Sequence, residues 1–130
     1  MTQTTKNIIY KDLGYKVGGI FYKVQDTLGL YAREKQYGDL LEKLLKEEKI
    51  DYEREKLISK TGDDINKADF IIENKMIVEL KAKPFLTRED YYQVQRYLEF
   101  ANLLLGIIVN FRQKYLKPKR IINNKFKNSS

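Results

Sequence analysis

A segment in the middle of the chain spaces two carboxylates and a lysine in a way that could support phosphodiester chemistry. Asp69 opens one short apolar run, and Glu79 and Lys81 lie in the next, with the turn-prone Glu73-Asn74-Lys75 between the runs. Two such runs around a short polar turn predict a β-hairpin. Because strand side chains alternate between faces, Glu79 and Lys81 share one face of the second strand. Its other face is apolar and consists of Met76, Val78, Leu80 and Ala82.

These three polar side chains are suited to bind a hard divalent cation and to act on a phosphate. If Asp69 and Glu79 approach to ~4 Å, their repulsion is of the order of 4 kcal/mol at an effective dielectric constant near 20, and a cation relieves it. Magnesium favours one or two carboxylates together with waters and substrate phosphate oxygens, and it activates its bound water. Lys81 could then orient or deprotonate the attacking water, or stabilise the developing negative charge.

An ordinary edge strand is the competing interpretation, because a solvated Glu-x-Lys face is common and contributes little energy. The metal-site interpretation carries its own expectation for stability. Removing Asp69 or Glu79 would relieve like-charge repulsion, so the variants should be as stable as the parent protein, or slightly more stable, when no metal is present.

Length and composition limit the kinds of protein that this chain can be. With 130 residues it is predicted to form one domain over residues 1–122, followed by a basic and flexible tail over residues 123–130. Cysteine and histidine are both absent. Their absence excludes disulfides, zinc–thiolate sites, iron–sulfur clusters and histidine-dependent catalysis. Any enzymatic chemistry must therefore use carboxylates, lysine, tyrosine and a metal.

Charge and hydropathy indicate the partners of the chain. The net charge of +7 favours an anionic partner, nucleic acid first, with DNA ahead of RNA. No stretch reaches the ~18 apolar residues of a membrane-spanning helix and no signal peptide opens the chain, so we expect a cytoplasmic protein without a membrane partner. The candidate phosphate contacts flank the hairpin in sequence: Lys83, Arg88, Arg96, Lys117, Lys119 and Arg120.

The residues before the hairpin predict two helices and one strand. Apolar residues spaced by three or four from Leu13 to Leu28 predict a helix, with Asp12 as its N-cap and Gly29 after its last turn. The elements predicted after this helix are a second helix over about 31–48, a strand over 52–59 and a polar turn over 61–66.

The residues after the hairpin predict one helix and two strands. Pro84 ends the third strand, and the capping box Thr87–Asp90 starts a helix that runs to about Asn102. The continuous apolar run over 103–111 predicts a strand buried on both faces, and a final strand is predicted over 116–122. The order of elements predicts a mixed sheet flanked by helices.

Three further polar residues lie at helical positions near the predicted site. Glu34 aligns with the inward stripe of the second helix, close to its N-terminus, where the helix dipole stabilises a carboxylate by ~0.3–1 kcal/mol. Gln93 and Tyr97 are i, i+4 neighbours near the start of the third helix. Each has a purely structural alternative: a favourable helix-end charge for Glu34, and an amide packed on an aromatic ring for the other two.

The order and spacing of these residues resemble the PD-(D/E)xK nuclease superfamily, of the RecB-like kind with a Gln-x-x-x-Tyr element. More closely, the chain from about Leu13 to Ile122 is similar to the small prokaryotic proteins of the GxxExxY family. Tyr31 stands in place of the glycine that names that family, and Ala68 in place of the proline that precedes the superfamily's aspartate. The matching stretches are Tyr15-x-Val17-x-Gly19, Leu28-Gly29, Glu34-x-x-Tyr37, Ala68-Asp69-Phe70, Glu79-Leu80-Lys81-Ala82, Gln93-x-x-x-Tyr97-Leu98 and Val109-Asn110-Phe111.

The resemblance implies a restriction-endonuclease-like αβββαβ core, in which helices flank a mixed central sheet. It also implies a nuclease that uses Mg or Mn. Asp69 and Glu79 would be metal ligands, Glu34 an additional ligand and Lys81 the catalytic lysine. Gln93 and Tyr97 would position the lysine or the DNA backbone.

Two alternatives stay open beside the nuclease interpretation. The first is a non-catalytic nucleic-acid-binding or accessory protein that keeps the same fold and needs a partner to cleave. The second is an interaction module that oligomerises, for example as a homodimer, through a sheet edge.

Overall fold

The computed structural model describes residues 9–61 and 64–128, which form three helices and five strands. The helices are α1 (Lys11–Leu28), α2 (Glu34–Glu47) and α3 (Arg88–Ala101). The strands are β1 (Tyr52–Thr61), β2 (Asp64–Ile72), β3 (Met76–Lys81), β4 (Leu105–Asn110) and β5 (Lys119–Ile122). Within these described ranges, none of the helices has the length and apolar character needed to cross a membrane.

The strands form one mixed sheet in the order β1-β2-β3-β4-β5. The first three strands are antiparallel neighbours, β3 and β4 run parallel, and β5 returns antiparallel to β4. A parallel pair requires a crossover connection, which α3 supplies. The chain therefore contains the predicted αβββαβ core, with a second N-terminal helix and a fifth strand added, and the predicted fold class is confirmed.

Two apolar cores connect the sheet to the helices on its two faces. One core packs α1 and α2 against one face, with Phe21 and Leu41 fully buried. The other packs α3 against the opposite face through Val94 and Leu98. Every residue of β4 is buried, as predicted for a strand that is covered on both faces.

The starts of the first two helices differ from the predicted ones. α1 begins after Tyr10, which adopts a left-handed conformation at the N-cap, and Asp12 lies inside the first turn. Asp12 was predicted as the N-cap because an aspartate side chain can accept a helix N–H. The residue that forms the N-cap, Tyr10, makes no side-chain hydrogen bond. Gly29 does end α1, with a φ of 77° that glycine adopts readily. α2 begins at Glu34 rather than at about residue 31. At this start the Gln36 side chain accepts the N–H of Arg33, the N-cap residue.

The predicted polar turn over residues 61–66 is wrong in extent. β1 and β2 stay paired as far as Thr61 and Asp64, so most of this segment belongs to the two strands. Residues 62 and 63 lie outside the described residues. The prediction failed because strands pair through their backbones, so polar residues on the edge strand β1 can join the ladder.

The beginning of the predicted C-terminal tail is hydrogen-bonded to the end of α3. Asn123 is buried, and its side-chain amide donates to the carbonyls of Leu98 and Leu103 at 3.2 and 3.0 Å. Asn102 exchanges two hydrogen bonds with the backbone of Lys127. The first residues after β5 therefore have defined partners.

Gly106 lies where α3 leaves no room for a side chain on β4. A Cβ there would be 2.5 Å from Cγ1 of Val94 and 3.2 Å from Cδ1 of Leu98. Both neighbours are buried, so Gly106→Ala is expected to destabilise the protein by about 1–3 kcal/mol, as overpacking usually does. Thermal unfolding measures this, with Gly19→Ala as the matched control, because a Cβ on Gly19 meets nothing within 4 Å. Unchanged stability of Gly106→Ala would contradict this packing of α3.

Candidate functional site

The candidate site lies where β2 and β3 separate. The backbone ladder between these strands ends with Phe70 opposite Val78, so Asp69 and Glu79 are the next residues across from each other. Oε1 of Glu79 accepts the N–H of Asp69 at 3.1 Å, and Oδ2 of Asp69 accepts the N–H of Leu80 at 2.8 Å. One oxygen of each carboxylate thus binds a backbone amide of the opposite strand, which fixes both groups in place.

This bonding changes the expectation for alanine variants. An alanine at position 69 or 79 would remove a charge but would also leave a backbone N–H without its acceptor, at a cost of about 1–3 kcal/mol. The expected gain in stability therefore applies to Asp69→Asn and Glu79→Gln, because an amide oxygen can still accept the same N–H.

The two carboxylates differ in their exposure. Glu79 is buried, with 3% of its surface exposed, whereas Asp69 is half-buried. Burial first, and then the charge of Asp69, raise the pKa of Glu79 to about 9. At neutral pH the metal-free pair therefore retains a proton, which a divalent cation would have to displace.

Lys81 and Glu79 lie on the face of the sheet that α3 covers, and on this face Lys81 contacts Gln93. Nζ of Lys81 donates to Oε1 of Gln93 at 3.1 Å and lies 3.7 Å from Oδ1 of Asp90. The lysine side chain is 16% exposed, so these contacts hold the ammonium in one place. The structure thus brings together four of the predicted site residues, which are Asp69, Glu79, Lys81 and Gln93.

Asp90 joins the site, although the sequence pattern identified it only as part of a helix cap. Its Oδ2 accepts the N–H of Thr87 at 2.7 Å and Nζ of Lys83 at 2.8 Å, while Oδ1 faces Lys81. Burial by itself would raise the pKa of Asp90, but the bonds from Lys83 and Thr87 and the charge of Lys81 hold it below its ordinary value. The available sequence signal was its position one helical turn before Gln93.

Tyr97 is buried in the core beneath α3 and faces the carboxylate pair. It packs in the same cluster as Val94 and Leu98, and its hydroxyl is hydrogen-bonded to Gln93. Burial first, and then the charge of Glu79, raise the pKa of Tyr97. Tyr97 therefore supports Gln93, and Gln93 in turn contacts Lys81.

Glu34 reaches the cleft from α2, on the other side of the sheet. It lines a cavity of about 410 Å³ together with Asp69 and Leu80. Partial burial and the charge of Asp69 raise the pKa of Glu34. Within residues 9–61 and 64–128, however, no three metal-binding side chains come close enough to hold an ion. Glu34 is therefore a third carboxylate of the cleft that stands apart from the Asp69–Glu79 pair.

Two fixed carboxylates beside an open cleft fit a magnesium-type ion. Such an ion commonly takes one or two protein carboxylates and completes its coordination with waters and phosphate oxygens. Asp69 and Glu79 each use one oxygen for a backbone amide, and their carboxyl groups are hydrogen-bonded to each other, so a cation held by this pair would take the place of the shared proton.

The contacts of Tyr37 give a structural reason for the spacing Glu34-x-x-Tyr37. Its hydroxyl donates to the carbonyl of Gly29 and accepts the N–H of Ala32, so it fixes the loop that leads into α2. Its ring stacks on Phe111, with the centroids 4.4 Å apart. These contacts hold the first turn of α2, and with it Glu34, against the sheet.

Arg54 on β1 forms another wall of the cleft. Its guanidinium binds Asp39 at 2.7 Å and Glu42 at 3.0 Å, and it lies over the ring of Phe70. A Cβ on Gly38 would lie 2.6 Å from this guanidinium, so the glycine permits the close approach of β1 and α2.

The predicted phosphate contacts lie in different surroundings. Lys83 is paired with Asp90, and Arg120 donates to the carbonyl of Ile9 on the α1 side of the sheet. The remaining four are exposed: Arg88, Arg96, Lys117 and Lys119.

A second cavity, of about 720 Å³, lies between α1 and the end of α2. It is larger than the cleft, but its lining includes Tyr15, Ile20 and Leu44 and none of the candidate site residues. Although this cavity is the larger of the two, the cleft beside the carboxylate pair therefore remains the candidate site.

Comparison with known proteins agrees with this geometry. A family model described as the PD-(D/E)XK nuclease superfamily matches residues 11–122. Neither the comparison with curated proteins nor that with solved structures found a match. The matched range runs from the first residue of α1 to the last residue of β5 and so includes every candidate site residue.

Proposed function

We propose that this chain, which belongs to the PD-(D/E)XK nuclease superfamily, is a divalent-metal-dependent nuclease that cleaves phosphodiester bonds, in DNA ahead of RNA. The observation that carries the proposal is that the Asp69–Glu79 pair lies where β2 and β3 separate, with the charge of Lys81 acting on Glu79. β3 is the central strand of the sheet and not an edge strand, and a strand with only a structural role has no need to bury a glutamate beside a second carboxylate, because burial and repulsion both cost free energy. Carboxylates in such surroundings are typical of active sites.

Each proposed role follows from the surroundings of a side chain. Asp69 and Glu79 would hold Mg²⁺ or Mn²⁺ in place of the shared proton, and Glu34 would contribute a further carboxylate from across the cleft. When bound, the cation activates water and neutralises charge at the phosphate. Lys81 would act on the attacking water or stabilise negative charge on the phosphate.

Three residues behind Lys81 would act as positioning residues. Gln93 binds the ammonium directly, and Tyr97 is hydrogen-bonded to Gln93 from the core. Asp90 holds a negative charge between Lys81 and Lys83, so neither lysine repels the other from the cleft. A fixed ammonium needs little reorganisation when charge develops at the phosphate.

Within the superfamily we assign the chain to the RecB-like kind and, more narrowly, to the GxxExxY family. The link from Tyr97 through Gln93 to Lys81 supports the first assignment, because it gives a Gln-x-x-x-Tyr element a role at the site. The contacts of Tyr37 support the second, because they connect the tyrosine of Glu34-x-x-Tyr37 to the position of the glutamate.

A cleavage assay with supercoiled plasmid, single-stranded DNA and RNA tests the proposed function. With Mg²⁺ or Mn²⁺ we expect cleavage of at least one substrate, no cleavage in EDTA, and recovery when excess cation is added. An Asp69→Asn protein purified in parallel is the control for contaminating nucleases. Failure to cut any substrate with either cation would contradict the nuclease proposal, and binding without cleavage would then support an accessory role.

Two sequence predictions about the protein in the cell stay predictions. A homodimer formed through a sheet edge is checked by light scattering on the purified protein. A cytoplasmic location is checked by fractionating cells that express the chain.

A further inference from the structure

Arg112, in the segment after β4, joins two loops beside the proposed site. Its guanidinium donates to the carbonyl of Leu30, between α1 and α2, at 3.0 Å. It also donates to the carbonyl of Ala82, directly after Lys81, at 3.3 Å. The guanidinium is thereby fixed next to the strand end that carries the proposed catalytic lysine.

Tyr31 stands beside this guanidinium. The central carbon of the Arg112 guanidinium lies 5.2 Å from the centroid of the Tyr31 ring. Tyr31 is nevertheless 80% exposed, so the cation covers one side of the ring and the other side is open to solvent. Glu34, which lines the cleft with Asp69, follows three residues later. Through Arg112, which also binds the carbonyl of Ala82, the open ring is tied to the strand end that carries Lys81.

Asn110 fixes the neighbouring loop in a similar way. It is buried at the end of β4, opposite Lys81 in the parallel pairing. Its side-chain amide donates to the carbonyl of Lys83 at 2.9 Å, and its side-chain oxygen accepts the N–H of Lys83 at 3.2 Å. The segment that follows β3 is therefore held against the end of β4.

Two further aromatic side chains project from these loops. Phe85, which follows the fixed Lys83, is 71% exposed. Tyr115, in the loop between β4 and β5, is 75% exposed, and Nζ of Lys114 lies 5.6 Å from its ring centroid. We call Tyr31 and its partner Arg112 the aromatic platform, and Phe85 and Tyr115 are exposed rings three residues along the chain from Ala82 and from Arg112.

Exposed rings beside fixed cations suit an unpaired strand of nucleic acid. A ring can stack on a base only where the face of the base is free, and both faces are covered inside a duplex. Guanidinium and ammonium groups attract the backbone phosphates of the same strand. A protein partner could also cover exposed aromatic residues, but the cations on two of the rings and the net charge of +7 favour a polyanion.

We infer that the aromatic platform binds an unpaired segment of nucleic acid, with one base stacked on the open face of Tyr31. The substrate would then be single-stranded, or would carry a single-stranded region next to the bond that is cut. The inference rests on the proposed nuclease function for the reaction that follows binding, but binding itself can be measured without it.

Fluorescence anisotropy in EDTA tests the platform separately from catalysis. The probes are oligothymidine and oligouridine of about 12 nucleotides, within the site sizes of such binders, and a duplex of the same length. We expect the parent to bind a single strand more tightly than the duplex. Tyr31→Ala should weaken single-strand binding by about 5- to 100-fold, as the loss of one base–aromatic stack does, and should leave duplex binding almost unchanged.

Two control variants accompany Tyr31→Ala. Tyr31→Phe should bind like the parent because it keeps the ring. Tyr15→Ala should also bind like the parent, because Tyr15 is 86% exposed on α1 and lies outside the platform. The oligothymidine and oligouridine affinities show whether the unpaired strand is DNA or RNA.

Unchanged single-strand affinity in Tyr31→Ala would overturn the inference, and so would an equal loss for single strand and duplex. Because no cation is present, these results do not depend on cleavage. A protein that binds single strands through Tyr31 but cuts no substrate would contradict the nuclease proposal alone.

Discussion

Asp69→Asn and Glu79→Gln are each expected to lower the affinity for Mn²⁺ by at least about tenfold and to raise the melting temperature in chelator. Each amide keeps an oxygen that accepts the backbone N–H, and its NH₂ group can donate to the remaining carboxylate. The parent keeps the pair together only by holding a proton on Glu79, whose pKa is raised to about 9, whereas the amide needs no added proton to donate its hydrogen bond. We expect a gain of about 1–3 kcal/mol for the metal-free protein near pH 8.

The size of this gain should depend on pH. In the folded parent, burial and the charge of Asp69 raise the pKa of Glu79 from 4.5 to about 9, so between these values the folded state binds more protons than the unfolded chain. The stability of the parent therefore falls as pH rises through this interval. Glu79→Gln removes this loss, so its advantage should be small near pH 5 and largest near pH 8–9.

Isothermal titration with Mn²⁺ and thermal unfolding in chelator at an acidic and a basic pH measure these effects. Glu47→Gln is the matched control, because Glu47 is an exposed carboxylate at the far end of α2 from Glu34. Unchanged Mn²⁺ affinity in both site variants would exclude Asp69 and Glu79 as ligands. A lower melting temperature of Glu79→Gln in chelator at the basic pH would contradict the raised pKa of Glu79 in the folded parent.

Lys81→Ala is expected to lower the cleavage rate by ~10²–10⁴-fold while retaining metal and nucleic-acid binding. In the structure Lys81 contacts Gln93 and Asp90, and the backbone bonds of the carboxylate pair do not involve it. Lys83 still neutralises Asp90 when Lys81 is absent. The substitution should therefore remove an action on water or on the transition state and leave the ligands in place. Single-turnover cleavage with saturating Mg²⁺ measures the rate.

Two further lysine variants make this result specific. Lys81→Arg is also expected to fail, because a guanidinium does not give up its proton and differs in shape from an ammonium. Lys75→Ala is the matched control, since Lys75 lies in the turn at the other end of β3 and its loss changes the net charge equally. Parental cleavage by Lys81→Ala would remove this lysine from the mechanism.

The hairpin and α3 could be predicted from the sequence because their signals are local. The alternation along β3 placed Glu79 and Lys81 on one face, and the structure confirms this, since both reach the side that α3 covers. The capping box at Thr87 likewise marked the start of α3. Both patterns depend on residues a few positions apart, so no knowledge of the tertiary fold was needed.

The contacts around the site that the sequence did not reveal join distant segments of the chain. Arg112 binds the carbonyl of Leu30, 82 residues earlier, and Asn110 binds that of Lys83, 27 residues earlier. No local pattern distinguishes Arg112 from an ordinary surface arginine. The separation of Glu34 from the carboxylate pair likewise depends on how α2 packs against the sheet.

The cleavage rate of the best substrate during a Mn²⁺ titration tests the central claim most directly. The parent and an Asp69→Asn, Lys81→Ala double variant are purified by the same steps and compared at each cation concentration. We predict that the parental rate rises from background in chelator to a plateau, while the double variant stays at background throughout. Equal rates for the two proteins, or a parental rate that chelator does not abolish, would contradict the assignment of metal-dependent cleavage to this site.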